Sequence, residues 1–227
     1  LKYCNSKGIQ MIQVFEDEWL QKKDIVLSRI KNKLKIHPDH RVYARKCEIK
    51  EISTPIKNKF LDDNHLQGKD KSKYKFGLFI EDDLISVMTF SNLSVSKGNK
   101  SKDSSVYELS RFCTKINYEC VGGFSRLLKF FIRNYQPSRI VTYADRRYSI
   151  KDNVYEQNGF TFVDITPPNY WYFTYKTLKR KHRFNYPKHK IIQEMSGDPS
   201  LSEWENMKQM KFDRIWDCGS YKYELSL

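Results

Sequence analysis

No apolar run in these 227 residues approaches the roughly 18–20 positions that a bilayer-spanning helix needs, and no signal-peptide pattern opens the chain. A membrane is therefore not an expected partner. No Cys-x-x-Cys pair occurs. The five cysteines (Cys4, Cys47, Cys113, Cys120, Cys218) are scattered and odd in number, which argues against a zinc site or a disulfide framework and fits a reducing cytoplasm. No metal ligand set and no internal repeat are recognisable. Acidic side chains are in deficit, 27 against 41 Lys and Arg, leaving a formal net charge of +14. Such an excess favours a polyanionic partner, with DNA ahead of a membrane surface. Aromatic residues are plentiful at 15%, enough for a packed core.

The informative stretch runs from Tyr107 to Phe160. A strand-like segment, 106–113, is followed by Gly122-Gly123 and then by an amphipathic helix with Leu127, Leu128, Phe131 and Ile132 at helical spacing. Strand, glycine turn and helix together aim backbone N–H groups at an anion. The same glycines also suit a purely structural turn, and both readings stand at this stage. A second strand follows at 139–144. A short helix then ends in Tyr155-Glu-Gln-Asn-Gly-Phe160, where Asn-Gly reads as a helix stop.

This order resembles the acyl-CoA-binding core of the GNAT acetyltransferases, in which a splayed strand, a glycine-rich turn and a helix hold the pyrophosphate. The resemblance implies an α/β fold with a mixed, mostly antiparallel central sheet flanked by helices. It also implies acetyl-CoA or another acyl-CoA as the group to be bound, at Gly122, Gly123, Phe124 and Ser125. The family's fuller pattern, Gln/Arg-x-x-Gly-x-Gly/Ala, is reduced here to the glycine pair, with Cys120 and Val121 before it.

The flanks carry their own signals. Residues 9–15 alternate like a half-buried strand and lead through Glu16-Asp-Glu-Trp19 into a basic helix over 22–34. Glu16 and Asp17 read as solvated carboxylates at a strand end. The wording of 7–30 is similar to the last strand and helix of phage homing endonucleases with a very-short-patch-repair (EDxHD-type) nuclease core. That resemblance implies a phage-encoded protein of the host cytoplasm, with 1–34 a nuclease remnant and any nuclease activity in residues upstream of Leu1. Residues 43–52 read as the first strand of the main domain. Ser53-Thr-Pro starts a helix that ends at His65. A hairpin spans 74–90, and the polar segment 92–105 reads as a loop ordered by a ligand. The closing antiparallel strands are expected at 161–165 and 170–175, which puts the main domain at 35–175. A basic extension, 176–227, holds a short helix at 202–207 and ends in a hairpin over 214–225.

Five polar residues are candidates for chemistry. His65, at a helix end, can accept a proton or simply cap the helix. Arg111 lies in an apolar strand and needs either a salt-bridge partner, for which Asp145 is available, or an anionic ligand. Asp145 ends a strand where open α/β sheets place ligand groups. Tyr155 can protonate a leaving thiolate or pack. In their order, His65, Arg111, Ser125, Asp145 and Tyr155 are similar to the Mom group, GNAT-like phage proteins that modify adenine in DNA. Cations for phosphate are expected at Arg146, Arg147, Lys179, Arg180, Lys181, Arg183, Lys188 and Lys190, with Phe184, Tyr186, Trp171 and Tyr172 for stacking. Two functions compete on these grounds. One is a DNA-binding module that positions a nuclease on duplex DNA; the other is an acyl-CoA-dependent transferase acting on a nucleobase.

Overall fold

Phe131 sits at the centre of the largest core, fully buried, its ring stacked on Phe90 at 3.7 Å between centroids. In the computed structural model, residues 2–93, 105–150 and 152–227 are described; most of the segment 92–105 read as a ligand-ordered loop lies outside them. Phe131 belongs to the helix α5 (Gly123–Tyr135), whose Phe124, Leu127, Leu128 and Phe131 form one buried stripe at helical spacing. That stripe lies on a seven-stranded sheet with the order β2-β3-β4-β5-β7-β12-β8. The strands are β2 (Glu48–Glu51), β3 (Tyr74–Ile80), β4 (Asp83–Asn92), β5 (Val106–Thr114), β7 (Arg139–Asp145), β8 (Thr161–Ile165) and β12 (Ser220–Ser226). Every neighbouring pair is antiparallel except β5–β7, which is parallel. The fold is thus the expected mixed, mostly antiparallel sheet with flanking helices.

The opposite face of the sheet is covered by α4 (Thr54–Asn64), whose Phe60 and Leu61 pack on Ile52 and Val87. Ser53 occupies the N-cap position and Pro55 the first turn, as the sequence implies. One polar cluster on this face is satisfied internally. The buried Lys57 ammonium reaches Asp70 Oδ1 at 2.7 Å and its carbonyl at 2.6 Å, and Thr89 Oγ1 donates to Asp70 Oδ2 at 2.7 Å.

Several sequence-based expectations need correction. Residues 9–15 form no strand, because no neighbouring chain is there to complete a ladder. Instead Gln10 Nε2 donates to the carbonyl of Tyr148, and Ile12 packs against Tyr148. Glu16 and Asp17 open the helix α2 (Glu16–Gln21), which follows α1 (Lys2–Ser6) and precedes α3 (Lys23–Lys33). Asp17 is paired at 2.7 Å with Arg180 rather than solvated.

The stretch 43–52 is not one strand. A strand β1 (His40–Tyr43) gives way to a 3₁₀ turn (Ala44–Lys46) before β2, and β1 pairs in parallel with β6 (Tyr118–Val121). The last strands do not form a terminal hairpin either. β12 lies between β7 and β8, so the neighbour of β7 comes from the far end of the chain. β9 (Tyr170–Phe173) leaves the main sheet and pairs with β10 (Lys181–His182) and β11 (Asp213–Trp216). Around Tyr172, Tyr186, Ile191 and Met207 that small sheet has its own core, closed by α6 (Lys188–Met195) and α7 (Glu203–Gln209). Ser202 and Glu205 form the capping box that starts α7.

Candidate active site

The parallel pair β5–β7 is hydrogen-bonded only from Val106–Arg139 to Leu109–Thr142. Beyond it β5 continues to Thr114 on β4 and β7 to Asp145 on β12, without pairing with each other. A pocket of about 120 Å³ lies at this parting. It is lined by Ser110 and Arg111 from β5, by Ala144 and Asp145 from β7, and by His65, Tyr148, Tyr155 and Arg29. Four of the five residues singled out in the sequence, His65, Arg111, Asp145 and Tyr155, therefore meet in one cavity. Ser125 does not. Its hydroxyl donates to the Gly122 carbonyl at 3.1 Å, and it faces two other cavities beside α5.

His65 is the C-cap residue of α4. The backbone N–H of Gln67 donates to its Nδ1 at 3.1 Å, so the neutral ring carries its proton on Nε2. Burial, followed by the charges of Arg111, Arg29 and Lys22, pushes its pKa down to about 3. At neutral pH this histidine is an uncharged hydrogen-bond donor, not the proton acceptor that its position in the sequence implied.

Asp145 is bound by Arg147, not by Arg111. Arg147 Nη2 lies 2.7 Å from Asp145 Oδ2, and its Nε and backbone N–H also donate to the carboxylate. The remaining guanidinium nitrogen, Nη1, donates to both oxygens of Glu18, at 2.9 and 3.0 Å. Arg180 extends the cluster to Asp17 and Glu18 and lies 3.7 Å over the Phe15 ring. Arg111 donates from Nη1 to the Ser110 carbonyl and leaves Nε buried without a partner. Burial lowers its pKa. Tyr155 packs against Phe124, Phe160 and Tyr223, and burial raises its pKa, which keeps its phenol protonated.

The glycine turn is real. Gly122 has φ +78° as N-cap of α5, a conformation that favours glycine. Gly123 is packed so that an added Cβ would meet Cys120 Sγ at 3.0 Å. Phe124 is a core residue and offers only its backbone N–H. As in any α-helix, the N–H groups of Gly123, Phe124 and Ser125 have no intrahelical acceptor. They open between a cavity of about 720 Å³, lined by Arg45, Arg126, Lys129 and Arg133, and one of about 1060 Å³ lined by Phe112, Cys120, Leu128 and Asn158. A helix N-terminus opening on a cavity that Arg45, Arg126 and Lys129 border suits the phosphates of an acyl-CoA. Burial pushes the Cys120 thiol up to about 11, which keeps it protonated at neutral pH.

The expected nucleic-acid cations divide. Arg146 is buried, donating to the Cys218 carbonyl and lying over Tyr221, and Arg147 and Arg180 are held in the ion cluster. Arg183 lies between the rings of Tyr170 and Phe184, and Lys190 pairs with Glu194 at 3.6 Å. Lys179, Lys181 and Lys188 are exposed. Of the four stacking candidates Phe184 is exposed, whereas Tyr172 and Tyr186 are buried in the small core and Trp171 packs on Phe15 and His182. The sequence reading missed Arg29 and Glu18 altogether. Their polar chemistry in an amphipathic segment gives no local sign of a target more than a hundred residues away.

Among solved structures the chain is similar to a GNAT family acetyltransferase from Elizabethkingia anophelis with acetyl-CoA bound, at 14% identity and a TM-score of 0.44, covering 80% of this chain and 99% of that one. It is also similar to the IAA acetyltransferase from Bacillus cereus ATCC 14579 (12% identity, TM-score 0.42, 80% and 99%) and to a Bacillus subtilis acetyltransferase in complex with CoA (13%, 0.41, 80% and 99%). No protein-family model matches the chain, and no curated protein matches it in sequence. The GNAT-like α/β fold is read from the chain's own parted parallel pair, glycine turn and α5. Among the described residues, no helix is long and apolar enough to cross a membrane.

Proposed function

We propose that this chain is an acyl-CoA-dependent acyltransferase whose reaction takes place in the pocket between the parted strands β5 and β7. The observation that carries the reading is the convergence of His65, Arg111, Asp145 and Tyr155 on that pocket, beside an α5 N-terminus flanked by cations. An acyl-CoA, when bound, supplies an activated thioester. The N–H groups at the start of α5, with Arg126 and Lys129, would hold its phosphates. Within the pocket, Nε2–H of His65 donates a hydrogen bond to an acyl oxygen as negative charge develops there. A neutral donor of this kind serves as an electrophile without giving up its proton. The phenol of Tyr155, kept protonated by burial, would supply a proton to the leaving thiolate and be restored by the proton that the acceptor amine loses as its bond to the acyl carbon forms. Asp145, held by Arg147, keeps the end of β7 in place.

The test is release of free thiol from acetyl-CoA on addition of amine-bearing acceptors. Tyr155→Phe and His65→Gln are each expected to lower kcat by about 10²-fold, with the affinity for acetyl-CoA retained. Full activity in both variants would remove these residues from the reaction.

A second reading, DNA contact, is favoured by the exposed Lys179, Lys181 and Lys188 together with the +14 net charge. It is compatible with the first if the acceptor is a nucleobase, as in the Mom-like reading. As a module that positions a nuclease, the chain would need only the surface lysines and no reaction pocket.

A further inference from the structure

Three residues that line the pocket each carry a buried donor without a partner: Nε of Arg29, Nε of Arg111 and the hydroxyl of Tyr148. They come from three separate parts of the chain, α3, β5 and the turn after β7. Arg29 lies over the Tyr148 ring at 4.3 Å. Among the described residues, neither guanidinium has a carboxylate at ion-pairing distance. Two acidic neighbours are already engaged: Asp145 accepts four hydrogen bonds from Arg147, and Asp70 takes Lys57, Ser72 and Thr89. Two guanidinium groups and a phenol thus line one cavity, each with one donor left without an acceptor. A buried cation left in that condition is costly unless an anion completes it.

We infer that this pocket is an oxyanion receptor, and that the acceptor substrate carries a carboxylate or phosphate group held by Arg29, Arg111 and Tyr148. The word acceptor rests on the acyltransferase reading; the binding of the anion does not. The pocket volume of about 120 Å³ leaves room for one such group beside the acyl carbon. Two arginine forks suit the planar carboxylate and the tetrahedral phosphate alike, through paired N–H donors. The inference gives α3 a role, because without Arg29 the receptor has one fork instead of two. Residues 23–33 then contribute to substrate binding rather than only packing on Leu66 and Tyr148.

The experiment is an NMR titration of the full chain at low ionic strength, without acyl-CoA, using sodium acetate in one series and inorganic phosphate in the other. The readout is the His65 ring resonance, assigned by its loss in His65→Gln. A saturable shift is expected, with the tighter of the two anions naming the class. Arg29→Gln and Arg111→Gln are each expected to weaken binding at least tenfold, while Lys59→Gln, on the exposed face of α4, leaves it unchanged. An unmoved His65 ring, or an affinity equal to the parent chain's in both arginine variants, overturns the receptor. If a glutamine variant fails to fold, the wild-type titration decides by itself, since the ring lies in the same pocket. Anion binding without any affinity for acetyl-CoA would leave the receptor standing and remove the acyltransferase reading.

Discussion

Glu18 and Arg147 form a buried ion pair at 2.9 Å across 129 positions of sequence, with about 7% and 5% of the side chains exposed. The same guanidinium holds Asp145 at the end of β7, so an N-terminal helix is tied to the mouth of the pocket through one arginine. Glu18→Ala leaves Arg147 buried with half its partners. A loss of about 3 kcal/mol is expected, at the lower end for a broken buried pair because Asp145 remains. Urea denaturation measures it, and a loss below ~0.5 kcal/mol would show the pair to be incidental.

The buried state of His65 makes stability depend on pH. Its folded pKa of about 3 lies below the ordinary value near 6.5, so between those values the unfolded chain binds a proton that the folded chain refuses. Stability is therefore complete above pH 6.5 and falls as the pH drops, by about 1.4 kcal/mol per unit. From pH 7 to pH 5 the contribution amounts to about 2 kcal/mol. His182, also shifted down by burial, adds a smaller part of the same sign. Urea midpoints at the two pH values should converge in His65→Gln relative to the parent chain. Equal pH dependence in both proteins would mean that the imidazole is protonated in the fold.

Phe131→Ala removes a fully buried ring that stacks on both Phe90 and Tyr135. The expected cost is about 3–5 kcal/mol, since the stiff sheet beneath α5 cannot close the cavity. Thermal unfolding reads this directly. A cost under 1 kcal/mol would contradict the placement of the core.

DNA contact through the surface lysines predicts salt dependence. Replacing Lys179, Lys181 and Lys188 by Gln should reduce the slope of log affinity against log salt by about 0.9 for each lysine that meets a phosphate. Fluorescence anisotropy with a short duplex measures the slope. An unchanged slope would place any DNA surface elsewhere.

Local pattern made much of this molecule legible. The stripe Phe124, Leu127, Leu128, Phe131 specified α5, Asn158-Gly159 stopped the turn before β8, and the Tyr74–Phe90 hairpin followed from two β-rich runs around Glu81-Asp-Asp83. Long-range pairing was not legible. The alternation of Tyr221, Tyr223 and Leu225 marks a strand but does not name its neighbours, so nothing local distinguishes a terminal hairpin from insertion between β7 and β8. The same holds for the parallel pairing of His40–Tyr43 with Tyr118–Val121. In the site, His65, Arg111, Asp145 and Tyr155 were visible as polar residues at element ends or inside apolar strands. Their roles were not, because a hydrogen bond from Gln67 to Nδ1 and the capture of Asp145 by Arg147 depend on packing. Arg29 stayed hidden for the same reason: on α3 it is one cation among many.

The most direct test of the account is calorimetric titration of the chain with acetyl-CoA, alongside Lys129→Glu. Lys129 is exposed and borders both cavities beside the α5 N-terminus, so reversing its charge should spare the fold while repelling a phosphate. The account predicts saturable binding by the parent chain and at least tenfold weaker binding by the variant, about 1.4 kcal/mol. No saturable heat from the parent chain, or equal affinity in both, would contradict an acyl-CoA site at the start of α5.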